Sequence, residues 1–142
     1  MNSMIQQLFN VPAFRYSLLA ADDKVAPNVV EDKDGKKIDD NLLHQMVRLF
    51  SFLQMTDRQE YSPVDFCFSF KEPGGNPTNV RVQQDAQEFI NFGFDRLEKL
   101  LKDTPQKYLC QSTFQGEITS LTICKECGNI VQTPEDFYTL SV

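Results

Sequence analysis

Apolar residues return every third or fourth position through most of the first hundred residues. Met4, Ile5, Leu8 and Phe9 recur in this way and predict a helix over Met1 to Phe9. Pro12 breaks that pattern and opens a second short helix, Ala13 to Ala20, which buries Phe14, Leu18 and Leu19. Leu42, Met46, Leu49, Phe50 and Leu53 form the apolar face of a helix over Asn41 to Met55, with Asp39 or Asp40 as its cap. Ser62-Pro63 opens another, carrying Val64, Phe66, Cys67, Phe68 and Phe70. The strongest pattern spans Gln83 to Lys102. Ala86, Ile90, Phe94, Leu97 and Leu101 make one stripe, supported by Phe89 and Leu100. Gln84, Glu88, Asn91, Asp95, Glu98 and Lys102 make the opposite one.

The texture between and after these segments differs. Residues 22–40 mix acidic and basic side chains with Pro27 and Gly35, and read as a solvated loop. Lys71 to Asn79 holds Pro73, Gly74, Gly75 and Pro77 and reads as a second loop. Beyond Pro105 the helical period is lost. Thr113 to Ile123 is rich in β-branched residues and predicts a strand pair bent or bulged at Gly116. Asn129 to Thr133 and Asp136 to Val142 predict further strands. Helices first and strands last point to an α+β fold.

At 142 residues the chain has the size of one domain. Hydrophobic residues make up 41%, with 12 Phe and no Trp, which supplies a core and excludes a wholly disordered chain or a disulfide-dense miniprotein. Lys and Arg number 14 against 20 Asp and Glu, a net charge of −6. Sequence-independent nucleic-acid binding needs a cationic surface, so no nucleic-acid partner is expected, and a basic protein partner suits the charge better. No apolar run approaches the roughly 20 residues that span a bilayer, so no membrane association is expected. Met1 to Arg15 has neither the basic start nor the unbroken apolar stretch of a signal peptide. A reducing setting, cytoplasmic or nuclear, is expected, with the four cysteines as thiols or metal ligands.

Three features could carry chemistry. Cys124-Lys-Glu-Cys127-Gly128 is the spacing of one half of a tetrahedral zinc knuckle, in which both thiolates point to one side. A redox pair or coincidence are the other readings. A thioredoxin-like pair belongs at a strand-to-helix junction, whereas this one lies between strands. Cys110 and His44 lack paired spacing, so a second cysteine pair is expected beyond Val142. Asp85 and Glu88, three apart, share a face at a helix start, where carboxylates are favoured by the dipole. They serve either as capping chemistry or as an acidic rim for basic side chains. The first helix is the third feature: a helix N-terminus activates a neighbouring thiol, but no Cys precedes it in this chain. Cys67 reads as a buried apolar thiol, and His44, the single His, as a surface or core residue rather than a catalyst.

Taken together these residues resemble the ubiquitin-specific proteases, the papain-like cysteine deubiquitinases. The nucleophile motif of that family reads G-N-T-C-Y-M-N-S-x-x-Q-x-L, and Met1 to Leu8 is similar to it from the M onward. The block Q-Q-D-A-x-E-F is met in full by Gln83 to Phe89. F-x-G followed by C-x-x-C is met by Phe114-Gln-Gly116 and Cys124 to Cys127, and Phe137 to Val142 approaches the strand that closes that block. Tyr61 to Phe70 and the chain start also resemble the fat-facets-like branch.

The resemblance implies a fold of thumb, palm and fingers. Residues 1–102 would be the helical thumb and 103–142 the start of the β fingers, with half a zinc ribbon at Cys124 and Cys127. It implies ubiquitin and ubiquitinated proteins as partners. Asp85, Glu88 and Gln84 would hold the arginine-bearing C-terminal tail of ubiquitin. The parent activity would be hydrolysis of the (iso)peptide bond after that tail. The family nucleophile would lie two residues before Met1, and the general-base His well beyond Val142, so neither Cys67, Cys110 nor His44 takes those places. The chain alone is therefore expected to be inactive, a fragment of poor independent stability. A non-catalytic ubiquitin-binding adaptor is the alternative, and a purely structural zinc-ribbon module the third reading.

Overall fold

The computed structural model describes residues 1–21, 26–31, 35–58, 60–71, 74–79, 82–83 and 85–140. The described elements follow in the order α1 (Asn2–Phe9), α2 (Pro12–Leu19), β1 (Val29–Glu31), β2 (Lys37–Asp39), α3 (Leu42–Met55), α4 (Val64–Ser69), α5 (Ala86–Leu101), α6 (Leu109–Phe114), β3 (Gly116–Ile123) and β4 (Ile130–Phe137). Helices build the body, and the last two strands form a separate antiparallel ribbon.

The body closes around a single apolar cluster drawn from all six of these helices. Phe14 of α2 is fully buried at its centre. Its ring lies 6.2 Å from Phe50 of α3, 6.2 Å from Phe94 of α5 and 5.4 Å from Phe114 of α6. Tilted and edge-on ring pairs at these separations gain beyond their buried area. The abundance of Phe thus holds α2, α3, α5 and α6 together.

Asp39 organises the entry to α3, but not as its cap. Its carboxylate accepts hydrogen bonds from the backbone N–H of Asn28 (2.7 Å) and of Asn41 (3.0 Å), and pairs with His44 Nδ1. Asp40 is paired with Lys71. The cap is Asn41, whose Oδ1 accepts from Leu43 N–H at 3.1 Å and His44 N–H at 3.4 Å. Asn is as good an N-cap as Asp, and the two aspartates have partners elsewhere. His44 is therefore a half-buried polar tie, as a lone helical His is expected to be.

Other expectations are corrected. Residues 22–40, read as loop, contain the hairpin β1–β2, turned with Gly35 at φ +75°. Three-residue strands such as Val-Val-Glu and Lys-Ile-Asp are too short for periodicity to reveal. The helix expected from Gln83 begins at Ala86, with Asp85 as its cap, and Ala86 and Leu100 are exposed rather than part of the buried stripe. Leu109–Phe114 is a helix whose Leu109 and Cys110 are buried, so the helical body runs to Phe114 rather than stopping at 102. Thr113 to Ile123 is not a strand pair. Gly116 opens a single strand in regular register opposite Phe137, with no bulge. β4 runs unbroken through Pro134, which a two-stranded ribbon tolerates because both strands are edges.

Candidate functional site

Two places carry the residues singled out above: the start of α5 and the tip of the β3–β4 ribbon. At the first, Asp85 sits in extended backbone immediately before the helix. Its Oδ1 accepts from Gln87 N–H at 2.7 Å and Glu88 N–H at 3.0 Å. Two of the four free amides of the helix start are satisfied in this way. Capping is therefore a role Asp85 fills. It occupies one carboxylate oxygen only. Among the described residues the second oxygen has no partner, and neither does the Glu88 carboxylate one turn on. Both side chains are exposed. The start of α5 is thus an open acidic edge whose orientation is fixed by the cap. Gln84 lies outside the described residues.

The far end of α5 is tied to the ribbon. The Tyr138 hydroxyl, just past β4, hydrogen-bonds Glu98, and the Tyr138 ring stands edge-on to Phe94 at 5.2 Å. Burial and the neighbouring Glu98 carboxylate push the Tyr138 phenol up. Sequence reading had placed Glu98 on the solvent stripe. Its partner lies forty residues on, beyond the reach of periodicity.

The F-x-G block has a physical basis in the same region. Phe114, partly buried, stacks on Phe94 at 5.1 Å against the core. Two residues later the Phe137 ring lies against Gly116, close enough that a Cβ there would sit 2.6 Å from its Cζ. One residue anchors the ribbon and the other makes room for its crossing strand.

At the ribbon tip, Cys124 and Cys127 are exposed thiols in a tight turn. Cys124 N–H donates to Asn129 O at 2.9 Å, and Gly128 N–H to Cys124 O at 2.9 Å, with Gly128 at φ +70°. That left-handed conformation favours glycine and explains the fifth residue of the motif. Backbone N–H groups of Cys127 and Glu126, together with the Cys127 thiol, face the Cys124 sulfur and lower its pKa. A turn that favours thiolate with both sulfurs to one side fits one half of a zinc site. Among the described residues no group of three metal-ligating side chains gathers. Cys110 and His44 do not join the turn: Cys110 is buried in the core and His44 is paired with Asp39.

The two core thiols, Cys67 and Cys110, stand in surroundings that disfavour the thiolate. Burial pushes the Cys110 thiol up to about 12, and raises that of Cys67 also. Reactive cysteines need the opposite environment. His44 faces a carboxylate, not a thiol.

A helical body joined by one tyrosine clasp and one F-x-G hinge to a protruding ribbon is the α+β arrangement of part of a papain-like domain. Residues 1–137 match the family model described as ubiquitin carboxyl-terminal hydrolase, and the chain belongs to that family. It is 32% identical over 142 residues to ubiquitin carboxyl-terminal hydrolase 24 of Mus musculus, covering 100% of this chain and 5% of that protein. It is 31% identical over 141 residues to ubiquitin carboxyl-terminal hydrolase puf of Drosophila melanogaster, with 99% and 3% covered. Ubiquitin carboxyl-terminal hydrolase 40 of Homo sapiens is 32% identical over 143 residues, with 100% and 11% covered. The chain thus spans about a tenth or less of the length of these relatives.

Proposed function

We propose that this chain forms the thumb and the first finger ribbon of a thiol-dependent deubiquitinating domain. The domain hydrolyses the (iso)peptide bond that follows the ubiquitin C-terminus. Within it, Asp85 and Glu88 hold the basic tail of ubiquitin, with Gln84 beside them. The observation that carries this reading is the open acidic edge at α5. One Asp85 oxygen is committed to the cap, which fixes the other in place, and the Glu88 carboxylate has no partner among the described residues. Charge-assisted bonds from arginine to carboxylates positioned in this way are worth about 1.5–3 kcal/mol each once ligand covers them.

In this reading Cys67 and Cys110 do not serve as the nucleophile, because burial raises both thiols. Cys124 and Cys127 supply half of a structural zinc site that a second cysteine pair completes. Zinc there would clamp the ribbon tip and take no part in hydrolysis. Free thiols of this kind suit a reducing compartment, cytoplasm or nucleus.

The test separates the two roles of Asp85. Asparagine caps a helix as well as aspartate does, but carries no charge. Asp85→Asn is expected to leave the thermal midpoint within a degree or two. Ubiquitin affinity is expected to weaken about tenfold, which corresponds to loss of roughly one charge-assisted bond. Glu88→Gln is expected to do the same. Titration against ubiquitin and against ubiquitin lacking its last residues reads both effects. Unchanged affinity in both variants would remove these two residues from the site. Affinity for tail-less ubiquitin equal to that for the intact protein would remove tail recognition from this edge. Tail binding without turnover by the assembled domain would favour the adaptor instead.

A further inference from the structure

The sequence contains three Ser/Thr-Pro steps, at Ser62-Pro63, Thr104-Pro105 and Thr133-Pro134. The fold treats them differently. Thr104 is buried, and its hydroxyl donates to Leu101 O at 2.8 Å. Thr133 is held in the β4 ladder opposite Ser120. Ser62 is exposed, its hydroxyl has no partner among the described residues, and the described residues of 56–63 belong to no helix or strand. A kinase cleft needs an accessible hydroxyl on a backbone free to enter it; Thr133 is exposed but its backbone is committed to the β3–β4 ladder, whereas Ser62 is exposed and lies in no ladder or helix.

Ser62 also stands at the edge of a groove of about 550 Å³ lined by Arg48 and Arg58. Tyr61, whose ring lies tilted against Phe52 of α3 at 4.7 Å, holds the segment at α3, and Ser62 lines the same groove as the two arginines. The Arg58 guanidinium has no partner among the described residues. Arg48 is only loosely engaged, its Nη1 lying 3.9 Å from Asp65 Oδ2. Asp65 has a second cation, Lys36, at 3.2 Å, so Arg48 is free to leave it. Glu60 and Asp65 are the anions in the groove, set against Arg48, Arg58 and the neighbouring Lys36. Two forked guanidiniums beside one hydroxyl are the arrangement that binds a phosphate dianion.

We propose that Ser62 is the acceptor of a proline-directed Ser/Thr protein kinase, and that Arg48 and Arg58 bind the resulting phosphate within the same chain. Ser62 Oγ forms a bond to the γ-phosphorus of ATP. The bond between that phosphorus and the bridging oxygen breaks, ADP leaves with the electron pair, and the hydroxyl proton passes to the base of the kinase. The product exchanges the long Arg48–Asp65 contact for direct phosphate contacts and fastens the segment before α4 onto α3.

The experiment treats the purified chain with a proline-directed kinase and ATP–Mg²⁺. Mass spectrometry then maps the site, and ³¹P NMR follows the phosphate through its second ionisation. One phosphate at Ser62 is expected, absent in Ser62→Ala and restored in Ser62→Thr. Its second pKa is expected to lie at least about half a unit below the usual value near 6, and to return towards that value in the Arg48→Ala/Arg58→Ala double variant. Phosphate on Thr133 with none on Ser62 would overturn the proposal. So would no incorporation, or a phosphate pKa that ignores removal of both arginines.

Discussion

Replacing Gly116 by alanine tests the account of the F-x-G hinge. Gly116 does not adopt positive φ, so its backbone accepts any residue. In such a position Gly→Ala ordinarily stabilises by about 0.4–1 kcal/mol, by restricting the unfolded chain. Here the new Cβ would sit 2.6 Å from Cζ and 2.9 Å from Cε1 of Phe137. Relieving such an overlap costs about 1–3 kcal/mol, because the ring must give up its place against the strand. Taken near the middle of both ranges, the difference is a net loss of about 1–2 kcal/mol, a factor of about 5–30 in the opening equilibrium. The ribbon is exposed on both faces and opens locally, so amide hydrogen exchange along the β3–β4 ladder is the assay. Ladder amides in Gly116→Ala should exchange about 5–30 times faster than in the parent chain. The decisive comparison is the same substitution in Phe137→Ala. With the ring gone the overlap vanishes, and Gly116→Ala should then slow exchange. The same sign in both backgrounds would refute the claim that Phe137 is what requires glycine there.

Three further outcomes test the core and the thiols. Phe14→Ala removes the ring shared by Phe50, Phe94 and Phe114 and should cost about 3–5 kcal/mol, read as a fall in the urea midpoint; a loss under about 1 kcal/mol would mean that the four helices do not pack through it. Cys110 ionises near its ordinary 9 when unfolded and near 12 when folded. Its buried thiol therefore contributes stability that is whole below pH 9 and drains away between pH 9 and 12, as only the unfolded chain sheds the proton. Urea titrations across that window should show the decline in the parent and a smaller one in Cys110→Ala. At neutral pH, iodoacetamide should reach Cys124 and Cys127 long before Cys67 and Cys110, and zinc should protect the first two together. Protection of one without the other would exclude a metal shared by the pair.

What the sequence made legible depended on the range of the interactions involved. Apolar stripes of α1, α3 and α5 follow from period alone, because a helix that buries one face writes that face into its own residues. Among its described residues the short hairpin β1–β2 buries only Ile38, so it leaves almost no pattern to read. Leu109–Phe114 was read partly as strand because Thr113 and its neighbours favour β structure, yet packing of Leu109, Cys110 and Phe114 against α2 and α5 overrides that preference. Motifs showed the opposite limit. They marked Asp85, Glu88, Gly116 and the cysteine turn but left open which atoms of each the fold itself uses. The structure divides those tasks: Gly128 sets a left-handed turn, Gly116 yields space to a ring, and one oxygen of Asp85 caps α5. The remaining oxygen, with Glu88, is the part of the motif that no described residue engages. A ligand can be recognised only by what folding leaves unspent. That is why the acidic edge carries the functional reading, while the more conspicuous cysteines and the single histidine do not.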